Sequence, residues 1–219
     1  FLCKFVSSNL RIMDEKYYIC IGRQIGSGGK KISEKLAQIL QLPVYDKELI
    51  QMASRKSGLR SEIFEQFDEK GSRSLIGGLL GMSSPIPDEI YAQYYLTNES
   101  LFVIESDVIR ELAAQKSCIF LGRCADYVLK DCERCLNVFI CANFEDRIKT
   151  IAETYHYQVN KAKDFIKKMD KKRADYYNYF TNKHWGVADS YHLCINSSTL
   201  GIDETVNFIY LFVKKNFGI

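Results

Sequence analysis

The stretch YYICIGRQIGSGGKKISEKLAQIL constrains this chain more than any other. Tyr17 to Ile21 is apolar and β-prone, glycines crowd residues 22 to 29, and Ile32, Leu36, Ile39 and Leu40 then recur at helical spacing. A strand that passes through glycines into a helix presents backbone N–H groups at the helix start, where the dipole favours an anion. Gly26, Ser27, Gly28, Gly29 and Lys30, with Lys31 beside them, therefore form a candidate phosphate cradle. Lys30 is the charge placed to meet the β and γ phosphates of a nucleotide. Against the pattern G-x-x-x-x-G-K-[ST], Gln24 stands at the first glycine and Lys31 at the hydroxyl position. A magnesium-binding hydroxyl then comes from Ser27 or Ser33, or the ion is held by phosphates, water and a carboxylate. The remaining reading is a loop register shifted by one residue.

Further along, the pattern predicts a brief strand at Pro43 to Tyr45 ending in Asp46, then helix through Met52. Asp46 is either an acceptor-site or magnesium-facing carboxylate, or the N-cap of KELIQM. Residues 53–100 mix glycine, serine and proline with apolar residues, and are expected to cover a substrate. A helix from Glu99 to about Gln115 should bury Val103, Ile104, Val108, Ile109 and Leu112. Ser117 to Leu121 is a buried strand, GRCADYVL turns into a helix, and Leu136 to Cys141 is another strand. ANFEDRIKTIAETY continues as a helix that becomes basic after Asn160, His192 to Asn196 is the last strand, and GIDETVNFIYLFVKKN closes the chain. Apolar strands alternating with helices imply an α/β fold: a parallel sheet flanked by helices in three layers, α/β/α. Ligands of such sheets bind beyond the carboxyl ends of the strands, where Gly26, Asp46 and Arg123 fall.

Bulk properties narrow the partners. Thirty basic and 27 acidic residues leave a formal charge of +3, too small to mark a nucleic-acid binder. The run Lys167, Lys168, Lys171, Lys172 and Arg173 reads as a solvated helix face or as a contact for nucleotide phosphates. Cys20, Cys118, Cys141 and Cys194 sit in apolar runs, as small buried thiols of a reducing cell do, and the Cys132, Cys135 pair is expected in a surface loop. FLCKFVSSNLRI is too short and interrupted for a membrane span or a signal peptide, so a cytoplasmic protein without a membrane partner is expected. The three histidines show no ligand spacing, and Trp185 with Tyr176, Tyr177, Tyr179 and Phe180 reads as packing more readily than as base stacking. Oligomeric state is not legible.

The blocks IGRQIGSGGKKISEKLAQIL, PVYDKELI, IRELAAQKSCIFLGRCADYVLKD, NVFICANFEDRIKTI, MDKKRADYYNYFTNKHWG and YHLCINSSTLGIDETV together resemble the cytidylate kinase-like family. The resemblance implies a P-loop nucleoside monophosphate kinase fold with a helical lid. Residues 1–16 would be an extension and 17–219 a single kinase domain, with 53–100 covering the acceptor and 147–185 forming the lid. It implies ATP and Mg2+ as cofactors and CMP or dCMP as the partner phosphorylated. Carried over by position, Gly26 to Lys31 hold the ATP phosphates. Arg123 and Asp126 in GRCAD resemble the acceptor-holding G-R-D segment; the alternative for Arg123 is an ion pair with Asp126 or with a helix C-terminus. Arg147, Lys149 and Arg173 fall where lid cations stabilise the transferring phosphoryl group. Where cytidylate kinases carry a run resembling L-D-T-G-A-M-Y-R, this chain reads VYDKELIQMA. Two other readings therefore stand beside CMP phosphorylation: a kinase with another small acceptor, and a nucleotide-binding regulatory module without efficient transfer.

Overall fold

A computed structural model describes residues 16–57 and 98–219. Five apolar segments become strands: β1 (Tyr18–Arg23), β2 (Val44–Tyr45), β3 (Cys118–Leu121), β4 (Cys135–Cys141) and β5 (Leu193–Asn196). They form one sheet in the order β2-β3-β1-β4-β5, with every neighbouring pair parallel. Parallel strands need long crossovers, and helices supply them. In chain order the described helices are α1 (Gly29–Leu40), α2 (Lys47–Ser57), α3 (Asn98–Gln115), α4 (Ala125–Val128), α5 (Phe144–Tyr155), α6 (Val159–Thr181) and α7 (Ser197–Phe217). The expected parallel sheet flanked by helices is thus the observed fold.

Alternation along β1 decides which side chain meets which layer. Ile19 and Ile21 join Ile119, Leu121, Leu136, Val138, Ile140 and Ile195 on one face, under Ile32 and Leu36 of α1 and Val206, Ile209 and Val213 of α7. Tyr18, Cys20, Cys118, Phe120, Cys135 and Phe139 point the other way and are also buried. Burial on both faces is why these strands read as continuous apolar runs. A second, smaller cluster of Ile148, Ile151, Ala162 and Ile166 joins α5 to α6 and takes in Ile25.

The chain divides into two compact units, Asp46–Leu112 and the remainder. Within the first, α2 and α3 carry a Lys56–Glu111 ion pair. The segment expected at 53–100 lies for the most part outside the described residues, as do residues 1–15 of the expected extension. Among the described residues no helix is long and apolar enough to cross a membrane.

Four local expectations need correction. Val103 is 56% exposed, while Glu105 and Ser106 are buried. Val103 stands nine residues from Leu112, about two and a half helical turns, and so on the opposite side of α3. Cys194 is exposed because it faces outward on the edge strand β5. Cys135 is not in a surface loop but opens β4, buried, with its Sγ 3.6 Å from that of Cys20. The helix after Asn143 is two helices, broken at His156, whose φ of 54° is left-handed and ends α5.

Candidate functional site

The site begins where β1 runs out. Gln24 is fastened to β4 twice: its N–H donates to the Ile140 carbonyl at 3.0 Å, and its Oε1 accepts from the Ala142 N–H at 3.2 Å. The residue at the first-glycine position of the pattern therefore anchors the loop to the sheet. Ser27 is buried; its hydroxyl donates to the Gln24 carbonyl at 2.8 Å, and its own carbonyl accepts from the Ser197 hydroxyl at 2.7 Å. Between these anchors the chain turns at Gly26 and Gly28, with φ of 77° and 73°. L side chains rarely adopt that conformation, and a Cβ on Gly28 would also lie 2.3 Å from Cδ1 of Ile202.

Helix α1 then starts at Gly29 with no side-chain cap on Gly28. Helix α7 shows the contrast, since the Asn196 side chain accepts from the Ser198 N–H. The first N–H groups of a helix have no intrahelical partner. At α1 they are joined by Lys30 and Lys31, both exposed, with no acidic residue in the first turn. Lys30 has only a loose 3.9 Å pair with Glu34. Two cations at the positive end of a helix oppose its dipole unless an anion lies between them. Backbone, lysines and dipole thus favour an anionic ligand.

Ser33 is fully buried and its hydroxyl donates to the Gly29 carbonyl at 2.7 Å; both candidate magnesium hydroxyls, Ser27 and Ser33, are thus buried and donate to backbone carbonyls. Among the described residues no three His, Cys, Asp or Glu side chains converge as a metal site.

Basic residues surround the loop unevenly. Arg173, on α6, donates Nη1 to the Arg23 carbonyl at 2.9 Å, directly before the loop. Arg147, on α5, is 4% exposed; its Nε donates to the Ile25 carbonyl at 2.8 Å and its Nη2 pairs with Asp170. Lys149 stands exposed, 4.0 Å from Asp146. The structure therefore brings Arg173 and Arg147 to the root of the loop and leaves Lys149 on the outer side of α5.

At the end of β3, Gly122, Arg123 and Cys124 are all left-handed, with φ of 78°, 60° and 53°. Such a run swings the chain sharply into α4. Glycine suits position 122 because L side chains rarely adopt its φ of 78°; a Cβ there would also meet Nη1 of Arg23 at 2.2 Å, the flexible end of that side chain. The Arg23 guanidinium thus crosses from β1 to the turn that carries Arg123. Asp126 is 6% exposed and accepts from the Tyr177 hydroxyl at 2.7 Å, with Lys183 Nζ at 4.0 Å. Burial raises its pKa, against the opposing pull of Tyr177 and Lys183. In the other unit, Asp46 immediately precedes α2, its carbonyl accepting from the Leu49 N–H at 3.3 Å. The aromatic side chains of this region pack together: Trp185 meets Phe139 edge-on at 5.1 Å, and Tyr177 stacks on Tyr191.

Arg23 and Asp170 were not singled out in the sequence, where Tyr177 reads as packing. A cation in the last position of the strand before a glycine loop was the available signal for Arg23; the other two act through partners distant in sequence.

A parallel sheet whose first strand leads through such a loop into an uncapped, lysine-bearing helix start fits the class of P-loop kinases. The chain belongs to the cytidylate kinase-like family, whose profile matches residues 18–199. By class it is a phosphotransferase. Among solved structures it is similar to an uncharacterized protein from Eubacterium ventriosum, at 24% identity and a TM-score of 0.67, over 91% of this chain and 99% of that one. It shares its fold with shikimate kinase from Bacteroides thetaiotaomicron, at 13% identity and a TM-score of 0.53, over 90% and 98% of the two chains. The same holds for shikimate kinase from Acinetobacter baumannii in complex with shikimate, at 15% identity and 0.53, over 94% and 97%. No curated protein matches the chain.

Proposed function

We propose that the protein transfers the γ-phosphoryl group of MgATP to a nucleoside monophosphate, with CMP or dCMP the first candidates. The observation that carries this reading is the uncapped start of α1, with Lys30 and Lys31 in its first turn. Gly26 to Lys31 would hold the triphosphate through backbone N–H groups and the two ammonium groups. Bound MgATP would supply the phosphoryl group and a divalent charge to offset it.

The remaining work is positioning and charge. Arg173 is held at Arg23, next to the loop, where its guanidinium can meet negative charge developing on the transferring group. Arg123 leaves the end of β3 to bind the acceptor phosphate, and Asp126, anchored by Tyr177, fixes the turn behind it. Residues 147–185 act as the lid and 53–100 as the acceptor cover, within one kinase domain over 17–219. Closure would exclude water, the competing acceptor.

A second reading keeps the chemistry and changes the acceptor. It is favoured by the run VYDKELIQMA, which has no arginine after β2 until Arg55. A coupled assay of ADP production with a panel of monophosphates and small alcohols decides. Turnover with CMP or dCMP is the expected outcome, turnover only with another acceptor supports the second reading, and nucleotide binding without acceptor-dependent turnover overturns both.

A further inference from the structure

Ile25, the residue before the first left-handed glycine of the loop, has both of its backbone polar groups held by side chains. Its N–H donates to Oδ1 of Asp170 at 2.9 Å, and its carbonyl accepts from Nε of Arg147 at 2.8 Å. The free ends of the same two side chains close on each other, Arg147 Nη2 to Asp170 Oδ2. One ion pair therefore brackets one residue, donor to carbonyl and acceptor to amide, as a neighbouring β-strand would. Beyond Gln24 the sheet offers Ile25 no partner strand, and the pair takes that place.

The bracket is largely buried. Arg147 and Asp170 have side-chain exposures of 5% and 17%. The Ile25 side chain packs into the α5–α6 cluster of Ile148, Ile151, Ala162 and Ile166. The backbone of α5 lies directly behind the loop, since a Cβ on Gly26 would sit 3.0 Å from the Arg147 carbonyl oxygen. Along α6, Asp170, Arg173 and Tyr177 fall on one side of the helix, and reach Ile25, Arg23 and Asp126 in turn.

We infer that Asp170 and Arg147 are positioning residues for the phosphate loop, fixing the peptides of Ile25 so that the N–H groups from Gly26 onward are preorganised. Arg147 then acts on phosphate through the backbone and not by contact. This rests on the reading of Gly26 to Lys31 as a phosphate cradle. Preorganised donors need no rearrangement when the anion arrives, and a displacement of about 1 Å can lower activity about a hundredfold.

The test is the double variant Arg147→Met/Asp170→Leu in the full chain. It replaces a buried pair with apolar groups of similar bulk, a change that often leaves stability intact. Expected are a melting temperature within about 4 °C of native, amide exchange at Ile25 roughly tenfold faster, and an MgATP Kd weakened roughly tenfold to a hundredfold. A merely structural pair would move stability and leave the affinity of the folded protein alone. Should the double variant fail to fold, Arg147→Lys decides by the same two readouts, since it keeps the charge facing Asp170 and loses the planar fork that reaches both partners. A folded variant with Ile25 still protected, or with an MgATP Kd within about threefold of native, overturns the inference alone. A native protein that binds no MgATP overturns the phosphate reading, and the inference with it.

Discussion

The Tyr177 hydroxyl donates to Oδ2 of Asp126 at 2.7 Å, tying α6 to the turn that follows β3. That carboxyl is buried, and burial raises its pKa above the ordinary 3.8. A raised carboxyl binds its proton more tightly in the folded state, so its contribution to stability is complete below pH 3.8 and declines as pH climbs through the folded pKa. Asp126→Asn keeps an oxygen for Tyr177 and cannot titrate. Urea unfolding between pH 3.5 and 7 should show the native protein losing stability relative to this variant as pH rises, with the difference starting near the ordinary carboxyl value. A pH-independent difference would mean that Asp126 is not titrating differently in the two states.

Lys30 and Lys31 should act with opposite signs in the presence and absence of ligand. Without an anion each opposes the α1 dipole by about 0.3–1 kcal/mol, so Lys30→Ala/Lys31→Ala should melt slightly higher than native. With MgATP the order should reverse, because the native protein gains more from binding. Thermal melts at several nucleotide concentrations check both halves.

Gly28→Ala should destabilise the protein and weaken nucleotide binding together. The left-handed backbone at φ 73° costs a residue with a Cβ about 1–2 kcal/mol. The clash with Ile202 involves the flexible end of that side chain and is the smaller part. Adding Ile202→Val should therefore recover only a minor share of the loss in melting temperature.

Arg173→Ala should leave the MgATP Kd within about threefold of native and lower turnover roughly a hundredfold. Unchanged turnover in a coupled assay would remove Arg173 from the chemistry.

The thiols test the fold's interior. Burial pushes Cys118 up to about 12, so at pH 8 roughly one molecule in ten thousand carries its thiolate. Iodoacetamide on the native protein should spare Cys20, Cys118 and Cys135 and label Cys194, with all four labelled after unfolding.

The fold was legible because its signals are local. Ile19 and Ile21 mark β1 by their neighbours, Ile32 and Leu36 mark α1 by their spacing, and the glycines between them announce the loop. The break between α5 and α6 was not, since ETYHYQVN contains no glycine or proline and His156 adopts its left-handed cap without one. Arg147 illustrates the limit for the site. Its position between β4 and the basic segment suggested a cation facing phosphate, and only the approach of Asp170, 23 residues later, turns it toward Ile25. Charge is visible in a sequence; the partner that orients it is not.

The bend at Gly122, Arg123 and Cys124 works like a compressed spring. Two residues with side chains sit in a conformation they avoid in solution, each at about 1–2 kcal/mol, and the neighbouring elements hold them there. Cys124→Gly would relax the spring, against the loss of a buried side chain. It would also let the guanidinium at 123 wander, so relief of strain and accurate aim pull this turn in opposite directions.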